Sequence, residues 1–329
     1  MYGCDHHSPR SKHARAARGR KRPRMMAAMV VALLLQLASA AAPAALECSY
    51  NGEATAGGCA CLPPWTGARC GQLPSPPAVD ATESAAAFYR RILAGSDAVV
   101  AACDHVADCT DGLNAALNHS GRVVVPPLHD GTGAVVPWRV RGFNFRAGDV
   151  RVIFAAGVEV QALKNATYLY ACKQVADLAE VHNLRNVSVT GYGASWRMWR
   201  EDYVARCKHS EFRMGWAIDN CTDVEVAGLT IRETGGDGLI VMSSVWHCDT
   251  YNKNGLCMKG HYSKQGATRN LLIRDVILDR NFRQGMSVIS AENMLVINTT
   301  FSNTNGTAPM AVRTYIYNKY VCLCVCVCV

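Results

Sequence analysis

Four short stretches in the second half of the chain share one pattern of apolar and polar positions. Each begins with a polar residue, alternates apolar and polar positions, and passes through a turn into further alternation. They read NVSVTGYG from 186, DVEVAGLTI from 223, NLLIRDVIL from 270 and NMLVINTTF from 293. A period of two is typical of β-strands, and little helical periodicity accompanies it. The pattern predicts a domain built of short, repeated strands.

The repeats also have a regular spacing. A second shared element follows fifteen positions after the first, because Gly238 follows Asp223 as Gly285 follows Asn270. The stretches at 270 and 293 are 23 residues apart, about one coil of a β-solenoid, and those at 223 and 270 are 47 apart. The longer spacing has two interpretations: one coil enlarged by an insertion at HCDTYNKNGLC, or two coils.

These features predict an all-β fold, a right-handed parallel β-helix over residues 101–311 with a short N-terminal capping helix. In DCTDGLNAALN, Asp108 or Thr110 can cap a helix that places Leu113, Ala116 and Leu117 on one face. A valine strand follows and ends at two prolines. The alternative is an antiparallel sandwich, but hairpin signals are scarce.

The N-terminal residues carry most of the excess charge. The chain has 34 basic and 26 acidic residues, a formal net charge of +8, yet eight basic and only one acidic residue lie within positions 1–42. The remainder is nearly balanced, which excludes a nucleic-acid-binding footprint. Within the leader, Arg20 to Arg24 precede an apolar run that ends in small residues near Ala40. This order predicts a signal peptide over 1–42; an uncleaved membrane anchor is the alternative.

Cysteine usage also indicates export. CSYNGEATAGGCACLPPWTGARC, from 48 to 70, has the spacing C-x-C-x5-G-x2-C and resembles the carboxyl half of an EGF-like module, with four cysteines where a full module has six. The resemblance implies that Cys61 pairs with Cys70 and Cys59 with Cys48. The competing interpretation is a zinc site. The sequence therefore predicts a small disulfide-rich module over 48–71, followed by a proline-rich linker over 72–100.

Further cysteines and sequons fit an oxidising, extracellular compartment. We expect disulfides at Cys103, Cys109, Cys248 and Cys257; His247 and His261 flank the last two and make a metal site the alternative, but we predict no metal and no cofactor. The eleven cysteines from Cys48 to Cys257 are an odd number, so one lacks a partner. Six N-x-[ST] sequons lie at Asn118, Asn165, Asn186, Asn220, Asn298 and Asn305.

Residues 108–310 resemble the pectin-lyase-like superfamily of right-handed β-helix proteins. GYGASWRMW and WAIDNCTDVEVAGLTIRET are similar to coils of polygalacturonase relatives, and NFRQGMSVISAENMLVINTTFSNT to a subgroup known only as right-handed β-helix proteins. The resemblance implies the fold and a polysaccharide ligand. The G-D-D, G-H-G and R-I-K motifs of polygalacturonases are missing, and so is the acidic calcium cluster of pectate lyases. The reaction type therefore stays open.

The stretch RETGGDGLIV, from 232 to 241, contains the main candidate site residue. A phosphate loop would need a helix after the glycines, and LIVM is a strand former. Calcium-binding repeats would need several copies. Two interpretations of Asp237 remain: a carboxylate displayed at a turn of the solenoid, or a structural turn residue with Gly235, Gly236 and Gly238 providing backbone freedom.

The 47-residue spacing then suggests partners for Asp237. If it spans one coil, Gln284 takes the place of Asp237, Arg283 that of Gly236, and Arg280 that of Glu233. An arginine beside the carboxylate and a second carboxyl group are what acid–base chemistry on glycans uses. The predicted residues are catalytic Asp237, Arg283 and Glu233, with Asn281, Gln284, Trp196 and Trp199 for substrate binding. For the two tryptophans the alternative is packing.

Together these features predict a secreted protein that acts on or binds extracellular polysaccharide, as a lyase, a hydrolase or an epimerase. The alternative is a non-catalytic adhesion or matrix protein with a rigid solenoid and an EGF-like module that binds a protein partner. The tail 312–329 alternates valine and cysteine, as a translated GT repeat does. We predict that it is non-native and that the solenoid is truncated; a metal-binding thiol ladder is the alternative.

Overall fold

The computed structural model describes residues 48, 51–76, 85–103, 106–164, 176–207, 213–243, 246–248, 262–264, 267–306, 310–314 and 319–327. The chain divides into two compact units, Met1–Leu46 and Glu47–Val329, and all described residues belong to the second. The predicted signal peptide over 1–42 lies outside the described residues. Within the second unit the chain forms a right-handed parallel β-helix.

The first ten strands are β1 (Gly52–Thr55), β2 (Gly58–Cys61), β3 (Val99–Val100), β4 (Gly121–Val125), β5 (Leu128–His129), β6 (Val135–Val136), β7 (Trp138–Val140), β8 (Phe143–Phe145), β9 (Val150–Phe154) and β10 (Glu159–Ala162). The next eight are β11 (Ala179–His182), β12 (Arg185–Thr190), β13 (Ser195–Arg197), β14 (Trp216–Asp219), β15 (Thr222–Ala227), β16 (Thr230–Arg232), β17 (Leu239–Met242) and β18 (Trp246–Cys248). The last seven are β19 (Tyr262–Lys264), β20 (Thr268–Arg274), β21 (Ile277–Asp279), β22 (Gln284–Val288), β23 (Ala291–Ser302), β24 (Met310–Thr314) and β25 (Lys319–Val327). The helices are α1 (Ala85–Ile92), α2 (Thr110–Ala116) and α3 (Arg200–Cys207).

Three parallel faces form the tube. The first face is β3-β4-β9-β12-β15-β20-β23-β25, and the second is β7-β10-β13-β16-β21 continuing into the second half of β23. The third face is β8-β11-β14-β17-β22-β24. The pairs β1-β2, β5-β6 and β18-β19 are antiparallel and lie outside these faces. Inward valine, leucine and isoleucine alternate with outward polar residues, as the sequence pattern predicts.

Coil lengths are unequal. Val187 pairs with Val224, Val224 with Leu271, and Leu271 with Met294. Corresponding side chains on successive coils are therefore 37, 47 and 23 positions apart. The 47-residue spacing is one coil, which confirms the insertion interpretation, and the antiparallel pair β18-β19 lies in the added segment.

The polar residue that opens each repeated stretch has a specific backbone role. Asn186, Asp223, Asn270 and Asn293 all have positive φ, between 54° and 63°. Asparagine and aspartate tolerate this left-handed conformation better than other residues with a side chain. Their side chains also bond to the neighbouring coil: Asn270 Nδ2 donates to Asp223 Oδ1 at 2.7 Å, and Asn293 Nδ2 to Asn270 Oδ1 at 3.0 Å. The pattern therefore encodes both the turn and its stacking.

Aromatic rings fill the interior of the tube. Trp196 and Trp216 are fully buried, with ring centroids 5.1 Å apart, and Trp216 stacks on Phe145 at 5.5 Å. Phe143 and Phe154 meet Trp196 edge-on. Rings of this size contribute much of the buried apolar area of a core.

Helix α2 closes one end of the tube, as predicted. Leu113 and Ala116 of this helix are buried. The N-cap residue is Cys109 and makes no side-chain capping hydrogen bond, so the prediction that Asp108 or Thr110 is the cap is wrong. Asp108 Oδ1 accepts a hydrogen bond from the Thr110 backbone N–H at 3.0 Å. The segment 72–100, predicted as a linker, contains helix α1 and strand β3. Phe88 and Tyr89 of α1 are buried in the core cluster, which holds this part of the segment against the fold.

The small N-terminal module has the disulfide pairing that the EGF-like resemblance implies. Cys48 is joined to Cys59 and Cys61 to Cys70, and Cys103 is joined to Cys109. Cys221 is free and buried among the described residues, and the predicted partner of Cys248, Cys257, lies outside them.

Candidate functional site

Asp237 lies in the turn between β16 and β17 and is fully buried. Arg283 Nε donates to its Oδ1 and Arg283 Nη2 to its Oδ2, both at 2.7 Å. Ser287 Oγ donates to Oδ2 at 2.6 Å. Arg283 therefore lies against Asp237 as predicted, and the two side chains form a bidentate ion pair between adjacent coils.

The surrounding glycines serve close packing. A Cβ on Gly238 would lie 2.4 Å from Asn281 Nδ2, and one on Gly235 would lie 2.5 Å from the Tyr203 ring. Neither glycine has a positive φ. Because the Asp237 carboxylate is enclosed and hydrogen-bonded through both oxygens, it presents no surface to a ligand. Its geometry is that of a structural ion pair that holds two coils in register.

The other residues predicted around Asp237 divide into two groups. Asn281 and Gln284 are fully buried beside it: Thr234 Oγ1 donates to Asn281 Oδ1 at 2.9 Å, and Ser287 Oγ contacts Gln284 Oε1. Glu233 is separate. Its carboxylate pairs with Arg197 at 2.9 Å and with Arg280 at 3.7 Å. The structure thus joins Arg283, Asn281 and Gln284 to Asp237 and leaves Glu233 on a surface ion-pair network.

The two tryptophans have different surroundings. Trp196 is fully buried in the aromatic core, which corresponds to the packing interpretation. Trp199 is half-buried; its Nε1 donates to the Ala162 carbonyl at 2.7 Å, and Lys164 Nζ lies 4.7 Å from the ring centroid. Neither ring lies beside Asp237 in these contacts.

A cluster of carboxyl groups around one histidine lies elsewhere, on the third face of the tube. In β11, Ala179 and Val181 point inward, so Glu180 and His182 point outward. Asp219 on β14 pairs in register with His182. His182 Nδ1 lies 3.2 Å from Asp219 Oδ2, and its Nε2 lies 3.1 Å from Glu180 Oε2. Asp177 precedes β11 and accepts the Met214 backbone N–H at 3.1 Å.

Strand geometry places the carboxyl groups of this cluster close together. Adjacent strands are about 4.8 Å apart with a rise of about 3.3 Å per residue, so the Cα atoms of Glu180 and Asp219 are about 8 Å apart. We call Asp177, Glu180, His182 and Asp219 the third-face cluster. His182 is its most exposed member, with 42% of its side chain accessible, and Asp177 and Asp219 are nearly buried.

The environment perturbs two of these groups strongly. Hydrogen bonds to Asp219 and then to Glu180 raise the pKa of His182 to about 10, so both ring nitrogens carry protons at neutral pH. Burial, and next the charge of Glu180, raise the pKa of Asp177 to about 7; the Met214 N–H, His182 and Arg213 act in the opposite direction. Asp177 therefore retains a proton well above the pH at which an exposed carboxyl group loses it.

When two neighbouring carboxyl groups have different environments, their pKa values differ, so that one can act as a general acid and the other as a general base. The third-face cluster provides a carboxyl group that can donate a proton near neutral pH beside further carboxylates on an outward surface. Within the part of the chain that the structure describes, no group of three or more histidine, cysteine, aspartate or glutamate side chains could hold a metal ion. The side chains of the third-face cluster themselves can supply proton transfer.

Sequence reasoning missed this cluster, although a signal for it exists. The stretches at 186 and 223 are 37 residues apart, and that spacing applied to His182 gives Asp219. The alternation in AEVH and WAID marks these side chains as outward-facing. Asp177 had no comparable signal, because its burial depends on the coil next to it.

No known protein-family profile and no curated protein match the chain. Solved structures do resemble it. A candidate glycosyl hydrolase from Parabacteroides merdae superposes with a TM-score of 0.50 at 11% identity, covering 71% of this chain and 98% of that one. A galactohydrolase of sulfated galactose and anhydrogalactose units has a TM-score of 0.43 at 14% identity, covering 69% of this chain and 48% of that one.

An ι-carrageenase in complex with ι-carrageenan fragments has a TM-score of 0.40 at 11% identity, covering 70% of this chain and 54% of that one. The chain thus spans about half the length of the last two proteins. At such identities the similarity to the first structure shows a shared fold. Among the described residues, no helix is long and apolar enough to cross a membrane.

Proposed function

We propose that this chain is a secreted glycoside hydrolase of extracellular polysaccharides, with the third-face cluster as its catalytic site. The observation that carries the proposal is that Asp177 is buried three residues before the partly exposed Glu180 of β11. Burial and the charge of Glu180 raise the pKa of Asp177 to about 7. A raised carboxyl pKa next to a second carboxylate is what acid–base cleavage of a glycosidic bond requires. The disulfides and the fold shared with a candidate glycosyl hydrolase are consistent with this assignment.

In the proposed reaction, Asp177 donates its proton to the glycosidic oxygen. The bond between that oxygen and the anomeric carbon breaks, and its electron pair stays on the oxygen. Glu180 takes a proton from a water molecule whose oxygen forms the new bond to the anomeric carbon. Solvent then returns a proton to Asp177 and removes one from Glu180, so the net reaction is hydrolysis.

His182 and Asp219 have a positioning role. The two-sided contact of His182 with Glu180 and Asp219 restrains the Glu180 side chain at a defined place on the surface. Only 3% of the Asp219 side chain is exposed, so its position is fixed by packing. Its contact with His182 Nδ1 therefore restrains the imidazolium ring. A base held in this way keeps its orientation toward the water molecule during the reaction.

The test is turnover of four polymers by protein from a secretory host: a neutral β-glucan, polygalacturonate, alginate and ι-carrageenan. We expect new reducing ends from at least one. Asp177→Asn and Glu180→Gln should each lower kcat by about 10²- to 10⁴-fold, because a positioned acid or base contributes that much. Asp223→Asn is the matched control, since it removes an exposed carboxylate at a position where asparagine suits the backbone.

Thermal unfolding of each variant separates lost chemistry from lost folding. Full activity in folded Asp177→Asn protein would remove Asp177 from the mechanism. Absence of turnover on all four polymers by folded wild-type protein would overturn the hydrolase assignment and favour the adhesion or matrix alternative.

A further inference from the structure

The outward positions of the third face are accessible on one side of the cluster and buried on the other. At the level of Glu180, the outward residues in register across the coils are Asn144, Glu180, Ala217, Ile240 and Ser287. Asn144 and Glu180 are partly exposed. Ala217, Ile240 and Ser287 are exposed by 1%, 4% and 0%. At this level the accessible surface therefore ends between β11 and β14 among the described residues, and beyond it Met242 and Ile289 are partly exposed.

Apolar packing accounts for part of this closure. Met214, Ala217 and Ile240 form a hydrophobic cluster of their own, and the partly buried Met242 and Ile289 pack against it. These side chains lie on the outside of the tube, across β14, β17 and β22. Ser287 is enclosed by the ion pair of Asp237 and Arg283. A polymer running across the coils from β8 would meet this filled surface directly after Glu180.

The opposite side is bounded by the cap of the tube. The Asn144 backbone N–H donates to Asn114 Oδ1 of α2 at 2.9 Å, so the cap helix adjoins β8. Accessible residues between these limits include Asn144, Glu180, His182 and Arg146. The opening thus spans β8 and β11, two strands about 4.8 Å apart. Among the described residues this accessible surface is short and limited on both sides, and we call it the recess.

From this geometry, and resting on the hydrolase proposal, we infer that the site receives the end of a polysaccharide chain and releases short products. Asp177 is hydrogen-bonded to Met214 of the filled surface, so the proton donor lies at the closed side of the recess. The bond it protonates is therefore close to the chain end that abuts Met214 and Ala217. An internal segment would need room for sugar units on both sides of that bond.

Product size during turnover tests the inference. With whichever of β-glucan, polygalacturonate, alginate or ι-carrageenan is hydrolysed, we expect products of one or very few sugar units from the earliest time points. The viscosity of the polymer solution should stay nearly constant while reducing ends accumulate. Early long fragments with a rapid fall in viscosity would overturn the chain-end inference and leave the hydrolase proposal intact.

Binding provides a readout that does not depend on turnover. Glu180→Gln protein should bind oligosaccharides of the same polymer with an affinity that stops rising after the first few sugar units, because the recess is short. An affinity that keeps rising with chain length would contradict the inference. If none of the four polymers is hydrolysed or bound, the proposed function fails and the inference fails with it.

Discussion

Two aspartates at equivalent positions of the third face differ in chemistry because of their neighbours. Ala179 and Leu239 occupy the same position in their strands, because both pair in register with Trp216 of β14. Asp177 and Asp237 each lie two residues before that position. Asp237 receives two hydrogen bonds from Arg283. Asp177 accepts the Met214 backbone N–H, which lowers its pKa, but burial and then the charge of Glu180 outweigh this hydrogen bond and raise the pKa to about 7. Asp237 is therefore a buried, ion-paired carboxylate, and Asp177 is a candidate proton donor.

The raised pKa of Asp177 predicts a pH dependence of stability. Between the ordinary value of 3.8 and about 7, the folded protein binds a proton that the unfolded chain has lost, so stability falls as pH rises through this window. Asp177→Asn should remove this decline. The difference in free energy of unfolding between Asp177→Asn and wild type should therefore change by about 4 kcal/mol in favour of the variant from pH 4 to pH 8.

Urea titrations of wild type, Asp177→Asn and the Asp223→Asn control at a series of pH values measure this difference. His182 acts in the same direction but in a higher window, from 6.5 to about 10, where stability is lost as pH rises. That decline should persist in Asp177→Asn. Parallel wild-type and Asp177→Asn curves below pH 7 would show that the carboxyl group is not desolvated.

At the scale of the elements, the Asp237–Arg283 pair connects the turn before β17 to the turn before β22, and its loss should weaken coil stacking. Arg283→Ala leaves a buried carboxylate without its charge partner, and we expect a loss of about 3–5 kcal/mol in the free energy of unfolding. Arg280→Ala is the matched control on the same turn, because its ion pairs are longer and its side chain is 47% exposed. That variant should lose less than about 1 kcal/mol.

Chemical denaturation measures both variants, and polysaccharide turnover is normalised to the folded fraction. The structural assignment predicts unchanged turnover per folded molecule in Arg283→Ala. If that variant keeps its stability but loses turnover, the catalytic interpretation of Asp237 and Arg283 is the better one.

At the scale of the whole molecule, the N-terminal module is part of the solenoid's core cluster. Trp65, Cys70 and Leu73 belong to the same buried apolar cluster as the coil valines. Arg69 also lies close enough to Tyr192 and Asp275 on the solenoid for its charge to act on both. A module packed in this way differs from the freely presented partner-binding end of the adhesion alternative.

Trp65→Ala tests this integration. Trp65 is 6% exposed, so truncation should cost about 3–5 kcal/mol and lower the single unfolding transition of module and solenoid together. Leu62→Ala, at a 54% exposed position in the same module, is the control with little expected effect. Thermal unfolding followed by far-UV circular dichroism and by tryptophan fluorescence gives the result. Two separate transitions, with the solenoid transition unshifted, would show an independent module.

The sequence by itself determined the repeating elements of this protein. Alternation in NVSVTGYG and its relatives specifies which side chains face inward, and an asparagine or aspartate at the first position specifies a left-handed turn, because these are local properties of the backbone. The cap helix over 110–116 was predictable for the same reason. The stacking of Arg283 on Asp237 also followed, once the 47 residues were taken as one coil.

Only the tertiary structure decided what each outward side chain can do. Insertions make the coils 37, 47 and 23 residues long, so the residue opposite a given side chain cannot be read from one regular period. This is how Asp219 comes to lie beside His182. Burial is likewise a property of several coils together: it encloses Asp237 with its arginine, desolvates Asp177 and closes the third face after β11, because neighbouring coils supply the charges and the apolar side chains around each carboxyl group.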